Sequence, residues 1–311
     1  MSKTQKVSEE KIIRFMKHRK PLAAISILVV VIGLVSLFAR GLNLGLDFTG
    51  GTAVEIDFQK PVDQEAIHAS LDKAGFKDTV VQFLGNSSQV LIRMPPQLGH
   101  GDIGKDVLQA ATLDPSNVGT VKNVDSVGSQ VGSELYWQSL AAIALAMGLM
   151  MAYILMRYNF KFSFGAVVAL ICDTFFTLGL FSVMHWPFDL TVLAAVLALI
   201  GYSLNDKVVV FDRIRENFRK LRKADSVEIT DISLTETLRR TIMTVATVVL
   251  VSLALLFVGG PALHWFAVTM LVGLFAVTFS SIYIATAFAL AMGLSKEDFI
   301  AKAKAEVDDR P

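Results

Sequence analysis

One acidic residue inside a long apolar segment constrains this chain more than any other feature. Residues 190–211 read LTVLAAVLALIGYSLNDKVVVF, which is long enough to cross a bilayer, yet they contain Asp206 followed by Lys207. A charged side chain in the hydrocarbon core costs several kcal/mol, so such residues usually face a protein interior and serve a function. Alternatively, Asp206 lies near the membrane surface, where the long side chain of Lys207 reaches the interface and neutralises it.

The composition is typical of a protein with several membrane-spanning helices. The chain is 53% hydrophobic and 18% charged, and its mean hydropathy is +0.54. Besides residues 190–211, five segments are apolar and long enough for a hydrocarbon core of ~30 Å. They are residues 21–39, 136–156, 163–184, 241–258 and 266–292. We therefore expect a polytopic α-helical membrane protein with six transmembrane helices.

Residues 40–134 differ from the rest, because their apolar runs are short and separated by turn residues. Apolar and polar residues alternate at 52–58, 79–84, 89–94 and 118–127, which is typical of strands. Helical spacing predicts helices at 63–74 and 103–113. The order β-α-β-β-α-β is that of a small α+β ferredoxin-like domain, placed between the first and second transmembrane helices.

The basic residues predict the orientation in the membrane. Seven lie in residues 1–20, two at Arg157 and Lys161, eight in 212–240 and four after Gly293, whereas the loops 185–189 and 259–265 have none. With six spans, these basic segments share one side, which the positive-inside rule makes cytoplasmic. We expect a cytoplasmic N-terminus (1–20), the first helix (21–39), a periplasmic domain (40–134), five helices (135–293) interrupted by a cytoplasmic basic segment (212–240), and a cytoplasmic tail (294–311).

Arg240 is the candidate partner of Asp206. The segment Ser233 to Glu236 fits a capping box, which predicts that the fifth transmembrane helix begins there and places Arg240 nearly two turns inside it. Polar residues on the two helices are candidates to support this pair; they are Ser203, Asn205, Thr244 and Thr247. Alternatively, Arg240 is an ordinary basic flank of a membrane helix.

Two further acidic residues are candidates with different roles. Asp173 interrupts the middle of the third span, where it is either a second member of a proton relay or a neutral acid bonded to a neighbouring helix. Asp47, Gly50 and Gly51 follow the first span, and paired glycines permit the positive φ of a tight turn. We expect that turn to lead into the first strand, with Asp47 orienting the domain on the membrane.

Several function classes have no support in the sequence. The single cysteine, Cys172, excludes an internal disulfide and a cysteine metal cluster. The sequence contains no glycine-rich phosphate loop, no histidine pair at zinc spacing and no Ser-His-Asp pattern, so we expect no cofactor, no metal and no covalent chemistry on a substrate. The basic run at 213–220 is interspersed with acids, which favours a solvated helix or a contact with anionic lipid over a nucleic-acid site.

Three motifs resemble the SecD/SecF family of bacterial protein-export membrane proteins. They are GLDFTGG at 45–51, GYSLNDKVVVFDRIRENFRK at 201–220 and SLTETLRRT at 233–241. The resemblance implies a six-span subunit of the bacterial inner membrane that pairs with a six-span SecD subunit beside the SecYEG channel, with further accessory subunits. It also implies use of the proton-motive force to assist export of unfolded polypeptides, with Asp206 and Arg240 in the proton-conducting site.

Two other functions are compatible with the residues themselves. The chain could be half of a proton-driven exporter of small molecules or lipids, since such proteins also carry an intramembrane acid. It could also be a purely structural assembly subunit, in which the polar membrane residues only hold helices together. Replacement of Asp206 by an apolar residue of similar volume distinguishes the second alternative, since an assembly subunit would retain its activity.

Overall fold

Long apolar helices make up most of the structure, a computed structural model that describes residues 12–84, 86–95, 102–221 and 224–294. Residues 1–11 of the predicted N-terminal segment and 295–311 of the predicted tail lie outside the described residues. The helices, in chain order, are α1 (Arg19–Arg40), α2 (Leu46–Thr49), α3 (Gln64–Lys73), α4 (Ile103–Ala111), α5 (Ser129–Arg157), α6 (Phe160–Met184), α7 (Leu190–Lys220), α8 (Ser226–Val258), α9 (Gly260–Ser280) and α10 (Thr286–Ala291).

Within the described residues, six helical segments are long and apolar enough to cross a membrane, as the sequence predicted. They are Phe15–Arg40, Ser129–Arg157, Phe160–Met184, Leu190–Lys220, Ser226–Val258 and Gly260–Ala291. The last of these combines α9 and α10, which are joined by a π-helical turn at Ser281–Ala285. Helix α7 packs against α5, α6, α8 and α9, so it occupies the centre of the bundle.

The capping-box prediction for the fifth span is wrong, because α8 begins seven residues earlier, at Ser226. Ser233 is buried inside the helix, where its hydroxyl donates to the Ile229 carbonyl at 2.7 Å. A serine can satisfy its hydroxyl in this way without ending a helix. Glu236 is engaged elsewhere, since it accepts a hydrogen bond from Arg213 of α7 at 2.7 Å.

The α+β domain has the predicted β-α-β-β-α-β order. Its strands are β2 (Gly51–Phe58), β3 (Val80–Leu84), β4 (Asn86–Met94) and β5 (Gly119–Val127). A separate two-stranded sheet pairs β1 (Asn43–Leu44) with β6 (Pro187–Phe188), which lies between α6 and α7. The four-stranded sheet has the order β3-β4-β2-β5, with every neighbouring pair antiparallel. Strand β4 begins at Asn86, three residues before the predicted start at Gln89.

The domain core lies between the sheet and its two helices. Buried side chains of β2 and β4, such as Ile56 and Ile92, meet Ile67 and Leu71 of α3 and Val107 of α4. Alternation along the strands places these residues on one face, and the helical spacing of Ile67 and Leu71 matches it. The domain therefore has a hydrophobic core of its own, separate from the membrane helices.

The connection between α1 and the domain is a tight backbone junction. We call residues 43–51 the domain root. The root contains the short helix α2 and ends at Gly50 and Gly51, which have φ values of +69° and +122°. A Cβ atom on Gly51 would lie 2.3 Å from the Met94 carbonyl oxygen, and one on Gly132 of α5 would lie 2.8 Å from the Gly50 nitrogen. The entry and the exit of the domain therefore pack backbone against backbone.

Gly51→Ala should destabilise the protein, because alanine meets both the Met94 carbonyl oxygen and an unfavourable φ. A non-glycine residue in such a conformation alone costs about 1–3 kcal/mol. Gly128→Ala is the matched control, since Gly128 has φ −64° and open space around its Cβ position. Thermal unfolding of the purified protein should show a lower midpoint for Gly51→Ala only; equal midpoints would contradict this description of the junction.

Candidate functional site

Asp206 lies at the contact between α7 and α8, with only half of its carboxylate satisfied. Its Oδ1 atom accepts a hydrogen bond from the Thr241 hydroxyl of α8 at 3.1 Å. Its Oδ2 atom is buried and, among the described residues, has no hydrogen-bond partner. Buried polar atoms are nearly always paired, so an unpaired oxygen on a membrane helix needs an explanation.

A small cavity of about 30 Å³ adjoins Asp206. This volume is large enough for one or two water molecules, and its polar lining can hold them. The lining residues come from α7, α8 and α9 and are Tyr202, Asn205, Asp206, Val209, Arg240, Thr241, Thr244, Val245, Leu274, Val277 and Thr278. Water in this cavity could therefore reach the carboxylate.

Arg240, the predicted partner of Asp206, lines the same cavity, but the two side chains form no salt bridge. In the part of the chain that the structure describes, Arg240 forms no ion pair with any carboxylate. Its side chain is exposed on the surface of this isolated chain. The structure thus places a cation beside an acidic group that has one free oxygen, without joining the two.

A second polar cluster, which sequence reasoning missed, lies on another face of α7. Lys207 is only 1% exposed, and its Nζ atom is 2.7 Å from Oδ2 of Asp173 on α6. The same Nζ atom donates to the hydroxyls of Ser203 at 2.6 Å and Ser280 at 3.3 Å. The Ser203 hydroxyl donates to Asp173 Oδ2 at 2.6 Å, which connects α6, α7 and α9 in one network.

Helix geometry explains why neighbours in sequence separate in the structure. Consecutive residues of an α-helix point about 100° apart, so Asp206 and Lys207 lie on different faces of α7. Lys207 therefore does not reach the membrane surface to neutralise Asp206; it is buried against Asp173. Ser203 precedes Lys207 by one helical turn, and this spacing was the sequence signal for a shared face.

The predicted supporting residues divide between the two clusters. Asn205 and Thr244 line the Asp206 cavity, whereas Ser203 belongs to the Asp173 network, so its predicted role beside Asp206 is corrected. Thr247 is exposed and donates only to the Thr244 carbonyl, at 2.7 Å. Thr241, which was not among the predicted residues, provides the direct hydrogen bond. A helix face cannot be assigned from residue type alone, which is why Thr241 was missed.

Asp47 is engaged at the opposite end of α7. Its Oδ2 atom accepts a hydrogen bond from the backbone N–H of Leu190, the first residue of that helix, at 3.0 Å. The predicted turn residues Gly50 and Gly51 follow Asp47 in the chain, at positive φ.

Among the described residues, no three histidine, cysteine, aspartate or glutamate side chains are arranged to hold a metal ion.

Two family models match segments of the chain. The one described as "Protein export membrane protein SecD/SecF, C-terminal" matches residues 109–295, which include Asp206 and Arg240. The one described as "SecD/SecF GG Motif" matches residues 35–62, which include Asp47 and the two glycines. Both clusters of α7 and the domain root therefore lie in segments shared with one family.

Individual proteins are similar over nearly the whole chain. The chain is 45% identical to the protein translocase subunit SecF of Pseudomonas aeruginosa, over 96% of this chain and 98% of that protein. It is 40% identical to the same subunit of Escherichia coli O157:H7, over 97% of this chain and 94% of that protein.

The fold is similar to a solved structure as well. The crystal structure of SecDF from Thermus thermophilus, a translocon-associated membrane protein, matches with a TM-score of 0.83 and 32% identity, over 91% of this chain. The match covers 39% of the SecDF chain, so the present chain corresponds to less than half of that protein.

Lys207→Met should destabilise the bundle, because it leaves the Asp173 carboxylate buried without its cation. Removing one partner of a buried ion pair costs about 3–5 kcal/mol, whereas replacing both with apolar residues is often neutral. The double variant Asp173→Leu with Lys207→Met is the matched comparison. We expect a low thermal midpoint for the single variant and recovery in the double variant; a single variant as stable as the unchanged protein would contradict the pairing.

Proposed function

Since this chain belongs to the SecD/SecF family of protein-export membrane proteins, we propose that it is a translocase subunit that uses the proton-motive force to assist export of unfolded polypeptides. The observation that carries the proposal is the arrangement around Asp206. A carboxylate with one unpaired oxygen, a neighbouring cation and a cavity of water size can bind and release a proton. The reaction is transport, with no covalent chemistry on the polypeptide.

The proton step depends on the balance of charge in the cavity. A nearby cation favours the ionised form of a carboxyl group, whereas burial without a cation favours the neutral form. A movement that alternates these two arrangements takes up a proton on one side of the membrane and releases it on the other. Each proton that crosses with the field supplies ~2.3 kcal/mol per 100 mV.

The partners in this proposal follow from the family. We infer that the chain pairs with SecD to form a twelve-span complex beside the SecYEG channel, with further accessory subunits of the translocase. The exposure of Arg240 in the isolated chain is compatible with a partner helix at this surface. The remaining partners are membrane lipid and the unfolded secretory polypeptide; nucleic acid has no role.

The orientation in the proposal places the α+β domain in the periplasm. The complex lies in the bacterial inner membrane, with both termini and the basic extension of α7 in the cytoplasm, as the positive-inside rule requires. Proton movement at Asp206 then rocks the two six-span halves of the complex. The domain moves with them, and it holds an emerging polypeptide so that the chain does not slide back.

The cavity beside Asp206 argues against a path for small molecules or lipids through this chain. A drug-sized ligand occupies a pocket of roughly 300–1,000 Å³. The cavity of about 30 Å³ accommodates water and a proton but no such cargo. Cargo of that size would have to follow another route.

Asp206→Asn tests the proposal directly, since asparagine keeps the size and hydrogen bonding of the side chain but cannot ionise. We expect membrane vesicles that carry this variant to lose the dependence of preprotein translocation on the proton-motive force. Asp212→Asn is the matched control, because Asp212 lies on the same helix and is about 42% exposed. Its ion pair with Arg157 at 3.4 Å is weak, and asparagine can still accept its hydrogen bond from Tyr158. Normal, potential-dependent export by Asp206→Asn would contradict the proposal.

Thr241→Val should slow export by about three- to tenfold, because it removes the hydrogen bond to Asp206 without a change in shape; one such bond contributes about 0.5–1.5 kcal/mol. Thr241→Ser keeps the hydroxyl and should retain most of the rate. The measurement is the initial rate of translocation in energised vesicles, at equal levels of the two variants. Equal rates for valine and serine would exclude a role for this hydroxyl.

A further inference from the structure

The N-terminal end of α7 is fastened to the domain root. The carboxylate of Asp47 accepts from the Leu190 N–H at 3.0 Å, and the Gly45 N–H donates to the Phe188 carbonyl at 2.7 Å. The rings of Phe48 and Phe188 stack with centroids 5.9 Å apart. The strands β1 and β6 pair in parallel at the same place. The root and the start of α7 therefore form one connected unit.

Two carboxylates accept hydrogen bonds from backbone N–H groups in the first turn of α7, and they come from different parts of the chain. Asp189 immediately precedes the helix, and its Oδ1 atom accepts from the Val192 N–H at 2.8 Å. Asp47 lies 143 residues before Leu190 and belongs to the root. The first N–H groups of a helix lack partners within it, so both contacts stabilise the helix end. The contact from Asp47 joins the helix to the root by a hydrogen bond, whereas Asp189 caps its own helix and attracts Arg93 of β4 electrostatically.

Helix α7 connects this end rigidly to the proton site. The helix is continuous from Leu190 to Lys220, and Asp206 lies sixteen residues from its start. At 1.5 Å per residue the separation is about 24 Å. The segment between them contains no proline, and neighbouring helices enclose it, so a shift of α7 at Asp206 is carried to Leu190.

The root in turn has little freedom to move apart from the domain. The close approach of Gly51 to Met94 ties it to strand β4, and the approach of Gly132 to Gly50 ties it to helix α5. Backbone contacts at these distances leave no side chain that could rotate to absorb a displacement. Movement at the start of α7 is therefore transmitted to the sheet.

We propose that Asp47 is a positioning residue that couples the proton site to the α+β domain, through its hydrogen bond to the first residue of α7. This inference rests on the proposed function, because it names the connection by which proton transfer at Asp206 moves the domain. Asp47 takes no part in the proton transfer itself, which occurs about 24 Å away.

The experiment separates export from proton flux. The full chain is assembled with its SecD partner, and two quantities are measured for each variant: potential-dependent preprotein translocation in membrane vesicles, and proton flux into proteoliposomes reported by a pH-sensitive dye. The variants are Asp47→Ala, which removes the acceptor, and Asp47→Asn, which keeps a side-chain oxygen in place. Asp189→Ala is the matched control, because it removes a cap of the same helix and leaves the link to the root.

Asp47→Ala should reduce translocation at least fivefold while proton flux stays within twofold of the unchanged protein. Asp47→Asn should recover more than half of the translocation, and Asp189→Ala should retain both activities within twofold. Translocation by Asp47→Ala at the level of Asp189→Ala would overturn the inference. Parallel loss of flux and translocation would also overturn it, because a damaged fold produces that result.

Asp206→Asn in the same assays distinguishes a failure of the proposed function from a failure of the coupling through Asp47. If that variant retains flux and translocation, the proposed function fails, whatever Asp47→Ala does. If it loses both while Asp47→Ala is normal, the proposed function stands and only the coupling through Asp47 is wrong.

Discussion

The high cost of a charge inside the membrane determines where each polar residue of this protein lies. Lys207 and Asp173 meet that cost by pairing at 2.7 Å in a network that also includes two serine hydroxyls. Asp206 meets it only in part, with one hydrogen bond and one unpaired oxygen beside a cavity. Both clusters lie on α7. The Lys207–Asp173 pair therefore fixes the rotation of this helix, which presents Asp206 to α8.

This division of roles accounts for the two kinds of polar group in the bundle. A buried ion pair whose two partners are also hydrogen-bonded to neighbouring hydroxyls holds helices together. An acid with an unpaired oxygen, next to a cation that forms no salt bridge among the described residues, can change its protonation state. In the proposed function, the continuous helix between Asp206 and the domain root carries a movement at Asp206 to the α+β domain.

Much of the fold could be predicted from the sequence, because hydropathy and strand alternation are local signals. Six membrane helices and the β-α-β-β-α-β order both follow from them. The pairing of Lys207 with Asp173 could not be predicted, since it joins residues 34 positions apart whose facing surfaces depend on helix packing. The apparent capping box at Ser233 was misleading, because a serine inside a helix can bond its own backbone. The hydrogen bond from the Leu190 N–H to Asp47 could not be predicted either, because it joins residues 143 positions apart.

The central claim is that Asp206 gains and loses a proton within the membrane. Dicyclohexylcarbodiimide, an apolar reagent that modifies protonated carboxyl groups, tests it when the modified peptides are identified by mass spectrometry across a range of pH. We expect the peptide with Asp206 to be modified at low pH and progressively less as the pH rises, while the corresponding peptide of Asp206→Asn stays unmodified. An Asp206 that is never modified, or is modified equally at every pH, would contradict the claim.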